Sequence, residues 1–167
     1  MTTTEREGCA CDMCKVACQT KPGFLAPGDL QNIAEYLEVP DDDYVDFLRD
    51  HFDASEGALV ANPATGTAFR IPSIVPSQLP GGCCVFLTED NKCSIHPAAP
   101  FGCREFSVCD TTTPPEKTNE KLAGALRQML ESAEYRQTHR SLQQEGCVAR
   151  PLLARATAMS RQLAALP

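Results

Sequence analysis

Nine of the ten cysteines in this 167-residue chain fall into two groups: Cys9, Cys11, Cys14 and Cys18 near the start, then Cys83, Cys84, Cys93, Cys103 and Cys109. Thiols gathered this way constrain a fold more than any apolar pattern does, because they end as disulfides, as redox groups or as ligands around an ion. Compartment decides between these. Residues 1 to 8 have neither the basic nor the apolar character of a secretory signal, so the expected location is the reducing cytoplasm, where spaced cysteines bind metal or do redox work. A chain of this length also encloses an apolar core without covalent staples, and it is expected to fold as a single domain over residues 1–167. Metal ions are therefore the first expected partner.

Composition narrows the others. Asp and Glu outnumber Lys and Arg 22 to 15, for a net charge of −7, which is the wrong sign for a surface that holds phosphate backbones. No nucleic acid is expected. Apolar runs extend for only a few residues, against the roughly 20 needed to cross a bilayer, so no membrane is expected either. With no Trp and 6% aromatic residues, an aromatic-lined ligand pocket is a poor fit. A protein partner remains open.

Local signals predict an α+β fold, mainly helical, with short β-hairpins and irregular cysteine-rich loops organised around a metal site. Asp29 reads as an N-cap ahead of Leu30, Ile33, Ala34 and Leu37, a helix that Pro40 stops. Asp41 to Asp43 read as the solvated start of a second helix through Val45, Leu48 and Phe52. Ala58–Ala61 and Thr67–Ile71 flank a Pro/Gly turn, a first hairpin. Cys83–Leu87 and Lys92–His96 flank a polar turn, a second, and the two are expected to share a small sheet. Pro72, Pro76, Pro80, Gly81 and Gly82 read as the irregular loop between them. A long helix follows from Thr113-Pro-Pro-Glu116 to about Gln144, with Leu122, Ala125, Leu126, Met129, Leu130 and Ala133 on one face. Gly146 ends it, and Pro151 opens a last helix, so the metal-binding portion spans about 9–109 and the helical portion about 114–165.

The chemistry lies in the spacing. Cys11-x2-Cys14 is the short loop whose two thiolates approach one ion while backbone N–H groups donate to sulfur, and Cys9 and Cys18 extend it to C-x-C-x2-C-x3-C. The second group has no such pair, so the fold must bring its members together. Adjacent Cys83 and Cys84 point to opposite sides if extended, so one of them is expected to pack as a core thiol. His96 is either a ligand in a mixed Cys/His site or a hydrogen-bonding neighbour of it. His51 and His139 are read as solvated helix-surface residues, and Cys147 as a small buried one.

Cys11-x2-Cys14-x3-Cys18, Pro22-Gly-Phe-Leu, Cys84-Val-Phe-Leu, Cys93-Ser-Ile-His96 and Pro100-Phe-Gly-Cys103-Arg104-Glu-Phe106 together resemble the zinc- or iron-chelating CxxCxxCC family of YkgJ-like cysteine cluster proteins. The resemblance spans roughly residues 9 to 109. It implies Cys11, Cys14, Cys18, Cys84, Cys93 and Cys103 as metal ligands, with Cys9, Cys83 and Cys109 as further candidates, of which Cys9 and Cys109 are added to the expected set. Ala17 stands where the family's first motif has a further cysteine, and Ala99 where it commonly has an Arg before Pro; Arg104 is left to pair with the cluster or with Glu105.

A closely spaced trio with a distant fourth thiolate suits an iron–sulfur cluster, of the 4Fe–4S type, somewhat better than zinc, whose structural sites take four ligands commonly from two knuckles. Eight thiolates would also fill two zinc sites. The expected function is a metal-binding protein whose cluster serves redox chemistry, metal handling or an enzyme's cofactor needs; the alternative is an interaction module stapled by structural zinc. No nucleophile order, dinucleotide fingerprint or phosphate loop assigns a reaction or a catalytic residue.

Overall fold

A computed structural model describes Val16, Cys18, Gln19 and residues 22–61, 65–106 and 114–149. The predicted last helix, from Pro151 on, lies outside the described residues. The architecture is α+β. Helices α1 (Asp29–Tyr36) and α2 (Tyr44–His51) precede an antiparallel ribbon of β1 (Phe52–Ala61) and β2 (Ala68–Pro76). A turn-rich stretch leads to short α3 (Phe101–Glu105), and α4 (Pro115–Glu131) and α5 (Ala133–Gln144) follow.

Helix α1 forms because Leu30, Ile33 and Ala34 recur at helical spacing, and all three are buried. Leu37 sits just past its end and is exposed, as Glu38 turns the chain with a φ of 54° ahead of Pro40. The Asp41–Asp43 turn is exposed throughout, as expected of a solvated helix start. Helix α2 stops one residue sooner than the apolar spacing suggests: Phe52 begins the strand, because its fully buried ring packs on Phe47 and Phe86 rather than continuing the helix. Val45, expected on the inner face, is 62% exposed.

The first predicted hairpin is present and longer than expected. Ser55 pairs with Ser73 and Ala58 with Ile71, so Glu56 and Gly57 bulge opposite Pro72 alone. Proline has no N–H to give a ladder, and a bulge is where a strand tolerates it. Pro72 and Pro76 thus belong to β2 and not to a loop. The second predicted hairpin is reduced to one bridge, Leu87 with Cys93, and does not join the sheet; its flanks curl into turns instead. The single long helix expected up to Gln144 is two helices. Ser132 separates them with an extended ψ of 112° and caps α5 by accepting from the Tyr135 N–H at 3.1 Å. Gly146, with φ of 82°, then follows the end of α5 as expected.

Helix α5 packs across both strands, α4 against β2, and α2 against β1. Phe52, Leu25, Ile33, Ile74 and Ile95 are fully buried between them. At one level of the ribbon four chain segments lie side by side: Val148 bridges Ala54, Ala54 pairs with Ile74, and the Leu25 N–H donates to the Ile74 carbonyl at 2.9 Å. Tyr135 completes this row. Its hydroxyl donates to the Leu25 carbonyl and accepts from the Ile74 N–H, both at 2.8 Å, and burial raises the phenol pKa. His139 is buried too, its Nε2–H on the Ser55 carbonyl at 3.0 Å, and His51 stacks on Phe86. Neither is the solvated surface residue expected.

Asp29 does not cap α1; Gly28 holds that position without a side chain. The Asp29 carboxylate is 3% exposed and accepts from the Ala26 N–H and the Phe101 N–H, each at 2.8 Å, and from Arg104 at 3.0 Å. Arg104 also donates to the Ala99 carbonyl. Glu105, its other expected partner, pairs with Lys121 instead.

Tyr135→Phe should leave the Ile74 N–H and the Leu25 carbonyl without the hydroxyl that joins them, lowering stability to urea by about 3 kcal/mol. Asp29→Asn, which strands a partly buried guanidinium, should cost about 3 kcal/mol in the same measurement; no change would mean that water replaces the carboxylate.

Candidate metal centre

Two backbone segments meet face to face to bring distant cysteines together. The Gly102 N–H donates to the Phe24 carbonyl at 2.8 Å. A Cβ on Gly23 would fall 2.4 Å from the Cys103 nitrogen and 2.7 Å from its sulfur, and one on Gly102 would fall 2.6 Å from the Phe24 nitrogen. Only glycines allow this approach, which is why both motifs carry one. Phe24, Phe101 and Phe106 close around the junction with ring centroids 5.5 to 6.3 Å apart. Cys18, the last of the first cysteine group, is tied in as well, because the Cys84 N–H donates to its carbonyl at 2.9 Å.

The result is a group of sulfurs from both ends of the cysteine-rich region. Cys84 feels Cys103, Cys18 and Cys93 electrostatically, Cys103 feels Cys18 and Cys93, and Cys93 feels Cys18. Burial pushes the Cys84 and Cys103 thiols each up to about 12, and raises those of Cys18 and Cys93. A backbone N–H opposes that shift at three sulfurs: Phe86 at Cys84, Ile95 at Cys93 and Gly23 at Cys103. An N–H aimed at sulfur favours the thiolate, so each of these sites resists ionisation by burial yet is built to receive the ionised form. A soft cation resolves that conflict, and thiolate sulfur is the donor that zinc and iron take.

Of the adjacent pair, Cys84 is buried and joins the group. Cys83 is half-buried, and its carbonyl holds the loop by accepting from Leu79 at 2.8 Å. Cys147 stands apart, half-buried rather than buried, its thiol near the Arg49 carbonyl at 3.5 Å. Cys9, Cys11, Cys14 and Cys109 lie outside the described residues. Among the described residues no group of three or more Cys, His, Asp or Glu side chains is placed to hold an ion by itself. Sequence reasoning missed Asp29, Gly23 and Gly102 as the residues that position Cys103. Asp29 looked like a local cap, and the two glycines gave only a faint signal, each beside a Phe in a motif.

No described helix is long and apolar enough to cross a membrane. Comparison with curated proteins and with solved structures gives no match. Residues 10–123 match the CxxCxxCC family model, whose description reads "Putative zinc- or iron-chelating domain", and this supports metal binding. The match spans every motif whose backbone meets at the sulfur group and reaches into α4, and on it the chain belongs to the CxxCxxCC family.

Proposed function

We propose that this chain is a cytoplasmic protein that carries a thiolate-bound metal centre as its working part, an iron–sulfur cluster or iron in preference to zinc. The ligands are drawn from Cys9, Cys11, Cys14, Cys18, Cys84, Cys93, Cys103 and Cys109. The observation that carries the reading is the set of backbone N–H groups on the sulfurs of Cys84, Cys93 and Cys103. Hydrogen bonds of this kind stabilise cluster thiolates and tune cluster potentials. A closely spaced trio with a distant fourth thiolate suits the four iron corners of a cubane, each of which takes one thiolate, and this favours a cluster. When bound, such a centre supplies electron transfer, metal delivery or Lewis acidity; the chain's own part is to hold its sulfurs in a dry, hydrogen-bonded nest.

A second reading is a zinc-stapled interaction module. It is favoured by the stretch between β2 and α3, where two isolated bridges, short turns and one 3-10 turn at His96–Ala98 are the only regular structure. Backbone of that kind is what a structural ion holds in place.

Anaerobic purification with iron, zinc and acid-labile sulfide analysis decides between them: iron with sulfide is expected, and a colourless zinc-only protein would replace the first reading with the second. Cys84→Ser and Cys103→Ser should each lower metal content by half or more, whereas Cys147→Ser should leave it unchanged. Because the thiols of the metal-free protein are held protonated, binding must release protons, and apparent affinity should rise about tenfold per pH unit for each thiol displaced. The metal-free fold should show the opposite dependence. Its raised thiol pKa values contribute stability at neutral pH that is lost as pH climbs from the ordinary thiol value of 9.0 toward about 12. Chelator competition and urea unfolding across pH check both slopes.

A further inference from the structure

The two central cysteine motifs are copies of one turn. In Cys84-Val-Phe-Leu87, the Phe86 N–H lies on the Cys84 sulfur and the Leu87 N–H donates to the Cys84 carbonyl at 3.0 Å. In Cys93-Ser-Ile-His96, the Ile95 N–H lies on the Cys93 sulfur and the His96 N–H donates to the Cys93 carbonyl at 3.2 Å. A turn closed from residue i to residue i+3 brings its two end residues within about 7 Å of each other, Cα to Cα. In a metal knuckle the ligand after the first cysteine stands at this i+3 position. One turn has Leu87 there. The other has His96.

The histidine differs from its counterpart in a second way. His96 Nδ1 is buried, and among the described residues it is the one buried side-chain nitrogen or oxygen with no hydrogen-bond partner. A polar atom in that condition is costly and calls for an occupant. The other two histidines have theirs: His51 Nδ1 meets the Phe47 carbonyl at 2.9 Å, and His139 meets Ser55. A residue that only filled space at this corner would be served by leucine, as the first turn is.

We propose that His96, through Nδ1, is a ligand of the metal centre, which is therefore a mixed cysteine–histidine site and not an all-thiolate one. This rests on the metal-centre reading above and extends it to one specific donor. Imidazole is a good ligand for both zinc and iron, and in an iron centre nitrogen in place of sulfur raises the potential.

The test uses the full-length chain, stripped of metal and loaded anaerobically with cobalt(II), which reports thiolate ligands by charge-transfer absorption and imidazole by nitrogen hyperfine coupling in pulsed EPR. Wild-type protein should show both. His96→Leu, which makes the second turn a copy of the first, should keep the thiolate bands, lose the nitrogen coupling and bind cobalt at least about tenfold more weakly. His51→Asn should change neither signal. Thiolate bands without nitrogen coupling in the wild type would overturn the assignment while leaving the metal centre standing, and this result needs no variant to fold. Retention of both the coupling and the affinity in His96→Leu would overturn it equally. Wild-type protein that takes up neither cobalt nor iron would overturn the metal centre itself, and the ligand with it.

Discussion

A single buried carboxylate joins the parts of this molecule that sequence keeps apart. Asp29 begins α1, yet its side chain turns back to the Ala26 N–H and across to Phe101 and Arg104, more than seventy residues later. With three donors satisfied, the charge is tolerable in a place where an unpaired one would not be. The joined segments are the Pro22–Asp29 loop and α3, and between them Gly23 and Gly102 let the backbones touch. Cys103 sits in that contact. The position of its sulfur is thus set by an ion pair, two glycines and three phenylalanine rings before any ion is considered.

The sulfur group illustrates how burial and hydrogen bonding are set against each other. Low polarity around Cys84 and Cys103 favours the neutral thiol strongly, while nearby N–H dipoles favour the anion. Cys147, apart from the group, is raised by burial as well but has, among the described residues, no backbone N–H to oppose that shift. A site that is dry and lined with donors to sulfur holds thiolates once a cation balances them, and membership of a family described as chelating zinc or iron agrees with that chemistry.

Local features of the fold were legible in the sequence. The Leu30, Ile33 and Ala34 stripe, the pairing of the Ala58–Ala61 run with the run ending at Ile71, and the Gly146 stop all sit where propensity puts them, because each is decided by its immediate neighbours. Expectation and structure part where a distant group outweighs the local preference. Phe52 is recruited by Phe47 and Phe86 into the core, Ser132 breaks a helix that apolar spacing would continue, and His139 finds a carbonyl at the bulge of β1. The site was legible as a list of cysteines, with Cys84 distinguished from Cys83 only by the fold. Asp29 was illegible because its partners lie 72 and 75 residues away, and no spacing rule reaches that far.

The row formed by Val148, Ala54, Ile74 and Leu25, closed by the Tyr135 hydroxyl, bears on the order of events when the chain is made. Leu25 leaves the ribosome 110 residues ahead of the phenol that anchors it, and the cysteine-rich half is complete before α5 exists. Until Tyr135 arrives, the Leu25 segment has one main-chain bond to β2 and lacks the hydroxyl that ties its carbonyl to the ribbon, while the Gly102–Phe24 bond and the Asp29 ion pair have all their residues in place. A nascent chain stalled before residue 135 therefore lacks the phenol that locks the Leu25 segment to the ribbon, with its cysteine motifs already made.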